Sequence, residues 1–301
     1  MGIAIAAVQN TLELYNLNYL KNSKSICEIG SQELHLKKED LKQLFVNAGL
    51  KSDLVDEYPH INNWPKAPRC SAKHFYESLG IKEYQCMDIN GKYGAIVHDL
   101  NKPFEDKSKF NKFDIVTDHG SSEHVFNIAE CYKTMHNLTK PGGYIIVAQH
   151  ILNRDNHSYF LFDESFIEGI AAANRYKVIY NSYVLNVNVK TQNGSGCEFH
   201  IPRNKSLFNV LDFSKLEDLN IYGVLQKTKE DEFKIPYQGD FMKEVYNIPG
   251  GFNRVYSKDP MGYTFVPSST LTVEDAPFRF LIKALIIKIR RIIRIRMAKK
   301  K

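Results

Sequence analysis

Four short stretches place polar, hydrogen-bonding residues immediately after an apolar run. Glu28-Ile29-Gly30-Ser31-Gln32 follows Ser25-Ile26-Cys27, and Asp88-Ile89-Asn90 follows Tyr84 to Met87. His98-Asp99-Leu100-Asn101 follows Gly94 to Val97, and Asp118-His119-Gly120 follows Phe113 to Thr117. A carboxylate in such a place can accept two hydrogen bonds from a vicinal diol such as a ribose. A glycine lets the backbone approach a ligand closely. Taken singly, an acidic residue after a strand is ordinarily a turn or cap residue. The weight lies in four such positions in order. Proton transfer needs a group that titrates near neutrality, and His119, His124, His150 and His157 are the candidates. His119 has Asp118 beside it, and His124 has Glu123 to orient it. A plainer reading exists for the second pair. Ser121 or Ser122 caps a helix, Glu123 complements its dipole, and His124 is an exposed first-turn residue. No HExxH string or clustered triad is present, so no metal is expected.

For these residues to converge, the apolar runs must be strands. The pattern predicts strands over 25–30, 84–88, 94–98, 113–117, 144–148, 176–187 and 222–226. It predicts helices within the first 20 residues and over 37–47, 72–79, 124–137 and 164–174. Strands separated by helical patterns imply βαβ units and a mainly parallel sheet. Ligands of such sheets bind beyond the carboxyl ends of the strands, near the point where strand order reverses. The stretch of about 48–80 breaks the alternation with Pro59, Pro65 and Pro68, and carries His60, Trp64, Arg69 and His74. It is either one wall or lid of the pocket or a structural insertion.

The ordered stretches resemble class I S-adenosylmethionine-dependent methyltransferases over about residues 23–228. Cys27-Glu28-Ile29-Gly30-Ser31 is similar to the first motif, Met87-Asp88-Ile89-Asn90 to the ribose acid, and His98-Asp99-Leu100-Asn101 to the adenine side. Phe113 to Gly120 resembles the fourth-strand motif. Lys140-Pro141-Gly142-Gly143-Tyr144-Ile145-Ile146-Val147 resembles the turn into the fifth strand and is the most specific string. Gly120 to Asn127 and Phe233 to Gly239 resemble a subgroup of uncharacterised bacterial methyltransferase-like proteins. The resemblance implies an α/β fold, with a Rossmann-like, mostly parallel seven-stranded sheet and flanking helices. It implies S-adenosyl-L-methionine held by Glu28, Gly30, Ser31, Gln32, Asp88, Ile89, Asp99, Leu100, Asp118 and Gly120. Catalysis would fall to His119, His124 and Asp118. The first motif departs from the family in having one glycine, and the nicotinamide-binding G-x-G-x-x-G turn is absent. No Asn-Pro-Pro-Tyr type motif for amine methylation is present, which favours an oxygen acceptor.

Of the 301 residues, 43% are hydrophobic and 25% charged, so the chain can bury a core. No run of 18 apolar residues is present, and the amino-terminal stretch lacks a positive n-region. Five cysteines without a CxxC pair fit a reducing cytoplasm. The net charge of +6 is local. Residues 278–301 hold ten of the 40 basic residues and no acid, which leaves 30 basic against 34 acidic residues elsewhere. On a helix, Leu281, Leu285, Ile289 and Ile292 share a face opposite Arg290, Arg291 and Arg294. This basic amphipathic C-terminal helix would meet an anionic membrane surface. We divide the chain into a helical segment 1–22, a methyltransferase-like domain 23–228, an extension 229–277 and the helix 278–301. The expected activity is O-methylation of a sugar or other small hydroxyl-bearing acceptor at the cytoplasmic face of the plasma membrane. The alternatives are a non-catalytic binding protein of the same fold, motivated by the single glycine, and a nucleic-acid methyltransferase. The basic face lacks aromatics for base stacking, which disfavours nucleic acid. A homo-oligomer is compatible with the sequence.

Overall fold

The computed structural model describes residues 2–152, 156–187, 197–202, 218–238 and 241–247, with positions 282 and 289. The helix expected over 278–301 otherwise lies outside the described residues. In chain order the elements begin with β1 (Gly2–Ile3), α1 (Ile5–Asn16), β2 (Ser25–Ile29), β3 (Glu33–Leu34) and α2 (Lys38–Asn47). Then come α3 (Lys73–Ser78), β4 (Glu83–Met87), β5 (Phe113–His119), α4 (Ile128–Leu138) and β6 (Thr139–Leu152). The last are α5 (Glu164–Ala173), β7 (Lys177–Val187), β8 (Cys197–Pro202), β9 (Asp218–Gln226) and α6 (Phe241–Tyr246).

Seven strands form one sheet in the order β4-β2-β5-β6-β9-β7-β8, and β1 pairs with β3 separately. The β4-β2-β5-β6 half is parallel. The other half is antiparallel at each pairing, so the sheet is mixed and not mostly parallel as expected. All five residues of β2 and all seven of β5 are buried. Helices cover both faces of these strands, so even their polar residues Glu28, Asp114, Thr117 and Asp118 are buried. One core lies under α1, α2 and α3 and includes Val8, Leu12, Ile26, Phe45, Phe75 and Ile115. The other lies under α4 and α5 and includes Cys27, Val116, Tyr132, Met135, Ile145 and Ile167. The 48–80 insertion sends Val55, Tyr58, Ile61 and Cys70 into the first core.

Two further expectations need correcting. The strand expected over 94–98 does not form, and Ile96 makes a single parallel bridge to Met87. Gly91, Tyr93 and Gly94 all have positive φ and curl the chain into a tight turn just before it. The seventh strand is instead β8. The helix expected from His124 starts at Ile128, because Ser122–His124 forms a separate short turn. Its cause is Asp118, whose Oδ1 accepts from the Ser121 and Ser122 amides at 2.9 and 3.1 Å. The serines therefore do not cap α4.

The turn into β6 shows why the Pro-Gly-Gly string is so specific. Gly142 has φ +83°, a conformation that favours glycine. A Cβ on Gly143 would lie 2.8 Å from the Asp114 carbonyl oxygen, so no larger residue fits. Buried Lys227 completes the turn, donating from Nζ to Asn111 Oδ1 and to the His136 and Thr139 carbonyls at 2.8–2.9 Å.

Candidate active site

The chain reverses direction across the sheet between β2 and β5, so the crevice at their carboxyl ends is the expected ligand site. Gly30 leaves β2 with φ +88°. Ser31 donates its amide to Asp88 Oδ2 at 2.8 Å and its hydroxyl to Asn90 Oδ1 at 3.0 Å. The Asp88 Oδ1 accepts from the Asn90 amide at 3.1 Å. The loops after β2 and β4 are thus bound together around one carboxylate. Gln32 links β2 to β5, donating from Nε2 to Ser121 Oγ at 2.9 Å and to the His119 carbonyl at 3.4 Å. A cavity of about 300 Å³ is lined by Ser31, Glu33, Arg69, Asp88, Asn90 and Lys92, among others. Arg69 comes from the insertion, bonds Glu33 at 3.2 Å and lies over the Trp64 ring. Ile89 is 68% exposed beside Asp88. Asp99 holds the next loop through the Asn101 amide at 3.0 Å, with Leu100 half-buried after it. One departure is plain: the loop after Gly30 runs into β3, and α2 does not begin until Lys38.

Glu28, His119 and Asp118, all given chemical roles from the sequence, lie inside the protein. Glu28 is fully buried and accepts from Tyr84 Oη at 2.5 Å. Burial pushes its carboxyl up to about 8, against hydrogen bonds that favour the charge. His119 is 5% exposed on the same sheet face, near Tyr222, and neither ring nitrogen has a hydrogen-bond partner among the described residues. Burial drives it down to about 4, so it is neutral. Asp118 points to the opposite face and is also fully buried. Besides the two amides it accepts from Ser122 Oγ, Gln149 Nε2 and, at 3.5 Å, Tyr132 Oη. Burial raises its carboxyl against these bonds. Its lone pairs are spent on the loop, so the Asp118–His119 pair does not form a reactive dyad.

A second grouping of titratable side chains lies one turn further on. Glu123, fully buried, turns its Oε1 toward three histidines. The distances are 3.1 Å to His157 Nε2, 3.5 Å to His124 Nε2 and 3.6 Å to His150 Nε2. His124 and His157 remain substantially exposed, so the cluster is open on one side. Burial lowers His124, and the neighbouring His157 and His150 lower it further. The segment after β6 is fastened beneath this cluster. Tyr159 and Phe160 donate their amides to the Glu123 carbonyl at 3.0 and 3.3 Å, and Phe162 donates to the His150 carbonyl at 2.8 Å. Beside it, Phe126 and Tyr159 meet edge to face at 5.8 Å, both largely exposed. Sequence reasoning singled out each histidine but not their convergence on Glu123. Adjacency of β5 and β6 was the only signal that could have suggested it.

Residues 85–197 match a family model described as a methyltransferase domain. This stretch runs from β4 to the start of β8. The chain thus matches the methyltransferase domain over less than half of its length. Among solved structures the chain is similar to the 1,6-didemethyltoxoflavin-N1-methyltransferase of Burkholderia thailandensis, with bound 1,6-didemethyltoxoflavin and S-adenosylhomocysteine. That identity is 9%, over 74% of this chain and 79% of the other, at a TM-score of 0.38. It is also similar to a SAM-dependent methyltransferase of Archaeoglobus fulgidus, at 12% identity, 74% and 94% coverage and TM-score 0.38. The N-methyltransferase NodS of Bradyrhizobium japonicum, with S-adenosylhomocysteine, is 10% identical over 75% and 88%, at TM-score 0.36. No curated protein matches the sequence.

The strand ends fit S-adenosylmethionine, the cofactor that the resemblance implies. Asp88 presents a carboxylate suited to a ribose diol beside a polar cavity, and exposed Ile89 offers an apolar surface for a flat ring.

Proposed function

We propose that this chain methylates a hydroxyl oxygen of a small acceptor, a sugar or a comparable hydroxyl-bearing molecule, with His124 as the base. One observation carries the reading: the half-open Glu123–His124–His150–His157 cluster beyond β5 and β6, beside the crevice at the switch point. Gly30, Ser31, Asp88, Ile89, Asp99, Leu100 and Gly120 would hold the cofactor. Glu28, Gln32 and Asp118 would act from behind, fixing the strands and loops that present those residues. When bound, the cofactor supplies a methyl group on a sulfonium sulfur, open to in-line attack by an oxygen nucleophile. His124 turns Nε2 toward Glu123, which leaves Nδ1 to take the hydroxyl proton. Glu123 then stabilises the imidazolium. The Phe126–Tyr159 shelf supports a sugar-like acceptor, since an aromatic face can pack against the apolar side of such a ring. The ten basic residues of 278–301, interleaved with isoleucines, support work on a glycan precursor at an anionic membrane surface.

Calorimetric titration with S-adenosylmethionine and S-adenosylhomocysteine tests the cofactor half. Micromolar binding that Asp88→Ala abolishes is the expected result. A screen of nucleotide sugars and lipid-linked sugars for methylated product tests the acceptor. Cofactor binding with no product on any acceptor would favour a binding protein of the same fold, the role to which the single-glycine loop points.

A further inference from the structure

We propose that Glu123, His150 and His157 form a binding site for one divalent transition-metal ion. Their donor atoms, one carboxylate oxygen and two imidazole nitrogens, lie within 4.8 Å of one another. A tetrahedral ion with bonds of about 2.0–2.2 Å spaces its ligands about 3.3 Å apart. The Glu123 Oε1 distances, 3.1 Å to His157 Nε2 and 3.6 Å to His150 Nε2, bracket that spacing. Small rotations of the two rings would complete the site. The His150 and His157 rings are nearly perpendicular, at 88° with centroids 5.3 Å apart, so the two imidazoles lie in different planes about the carboxylate oxygen.

The supporting structure is in place before any ion arrives. Glu123 is fixed by its short turn and by the two amides that its carbonyl accepts. His150 sits at the end of β6, with its carbonyl held by the Phe162 amide. The segment that carries His157 is fastened at both points. Such positioning of ligands is what separates a metal site from a chance cluster. The donor set selects the ion. Two imidazoles and one carboxylate suit zinc, iron(II), cobalt(II) or manganese(II), whereas magnesium and calcium prefer all-oxygen sites. Three protein ligands leave at least one position open, on the side where His157 is 42% exposed. The open position is the arrangement of a catalytic rather than a structural ion. What the ion does rests on the methyl-transfer reading: it would take the acceptor oxygen and ease loss of its proton to His124. Binding of the ion does not depend on that reading.

The test uses full-length protein stripped with a chelator, then titrated with zinc by calorimetry and with cobalt(II) by visible absorption. One ion per chain is expected, with ligand-field bands on cobalt addition. His157→Ala alters a half-exposed loop residue and leaves the fold intact by circular dichroism. It should weaken binding at least about 100-fold, beyond the 10–100-fold typical of losing an outer partner. Glu123→Gln should do the same, while His124→Ala stays within about tenfold. Absence of saturable binding to folded wild-type protein, or binding that His157→Ala leaves intact, overturns the site. Cofactor titration of the stripped protein separates the two proposals. Cofactor binding without metal binding removes the ion and leaves the transferase. Metal binding without cofactor binding keeps the ion and removes the transferase.

Discussion

Glu28 and Glu123 are both fully buried glutamates near the carboxyl ends of the central strands, and they behave as opposites. Glu28 looks toward α1 and α3, into a region filled by Tyr76, Tyr84 and Thr117, with His119 on the same sheet face. Its surroundings are sealed and largely neutral. Glu123 looks toward the other end of the loops, where its histidines reach water. The first group is a polar patch inside a core. The second is a polar patch with an open side, where His124 and His157 reach solvent. Nearness to a strand end and residue type are shared by both, so burial of the partners makes the distinction.

The largest effect should separate the two histidines. His124→Ala should lower the turnover number about 10²- to 10⁴-fold, the usual loss of a general base, with cofactor affinity unchanged. His119→Phe keeps a ring of similar shape and removes two buried nitrogens that lack partners among the described residues. Its turnover should stay within about threefold and its melting temperature should hold or rise. Steady-state kinetics and thermal melts on the pair settle the comparison. The reverse ranking would move the site into the sealed region.

The sealed region should also respond to pH through Glu28. Its folded-state carboxyl is raised from 4.5 to about 8. Below pH 4.5 both folded and unfolded chains hold the proton, and the stability of the neutral form is intact. Between 4.5 and 8 the unfolded chain releases it and the folded chain does not, so stability falls as pH rises. At pH 7.5 the loss is on the order of 4 kcal/mol. Glu28→Gln, which cannot ionise, should recover about 2–4 kcal/mol at that pH and none at pH 4. Urea unfolding at the two pH values reads it. A gain at pH 4 as large as at pH 7.5 would show that charge is not the cause.

Much of the fold was legible because its physics is local. The apolar clusters Ile26-Cys27 and Ile115-Val116 mark the centres of β2 and β5, and Gly143 leaves no space for a side chain. The missing strand over 94–98 was hidden by backbone conformation: Tyr93 has φ +56°, which its residue type does not advertise. The site was legible only as separate residues. Asp118 reads as a reactive acid, yet two backbone amides and three side chains consume it. Glu123, His150 and His157 read as unrelated, since the pairing of β5 with β6 brings them together and no spacing along the chain encodes it.

The smallest effect tests what the open region is open to. Phe126 is 73% exposed and Tyr159 69%, an unusual investment of aromatic surface beside a polar cluster. If a sugar-like acceptor rests there, Phe126→Ala or Tyr159→Ala should raise its KM about 2- to 12-fold, from the roughly 0.5–1.5 kcal/mol of an aromatic contact. The turnover number should hold, because the contact is made equally in the ground state and the transition state. Stability should shift little, since neither side chain is in the core. A drop in turnover at constant KM would instead mean that Tyr159 acts on the His157 segment. The shelf would then belong to the machinery that positions the histidines and not to the surface that receives the acceptor.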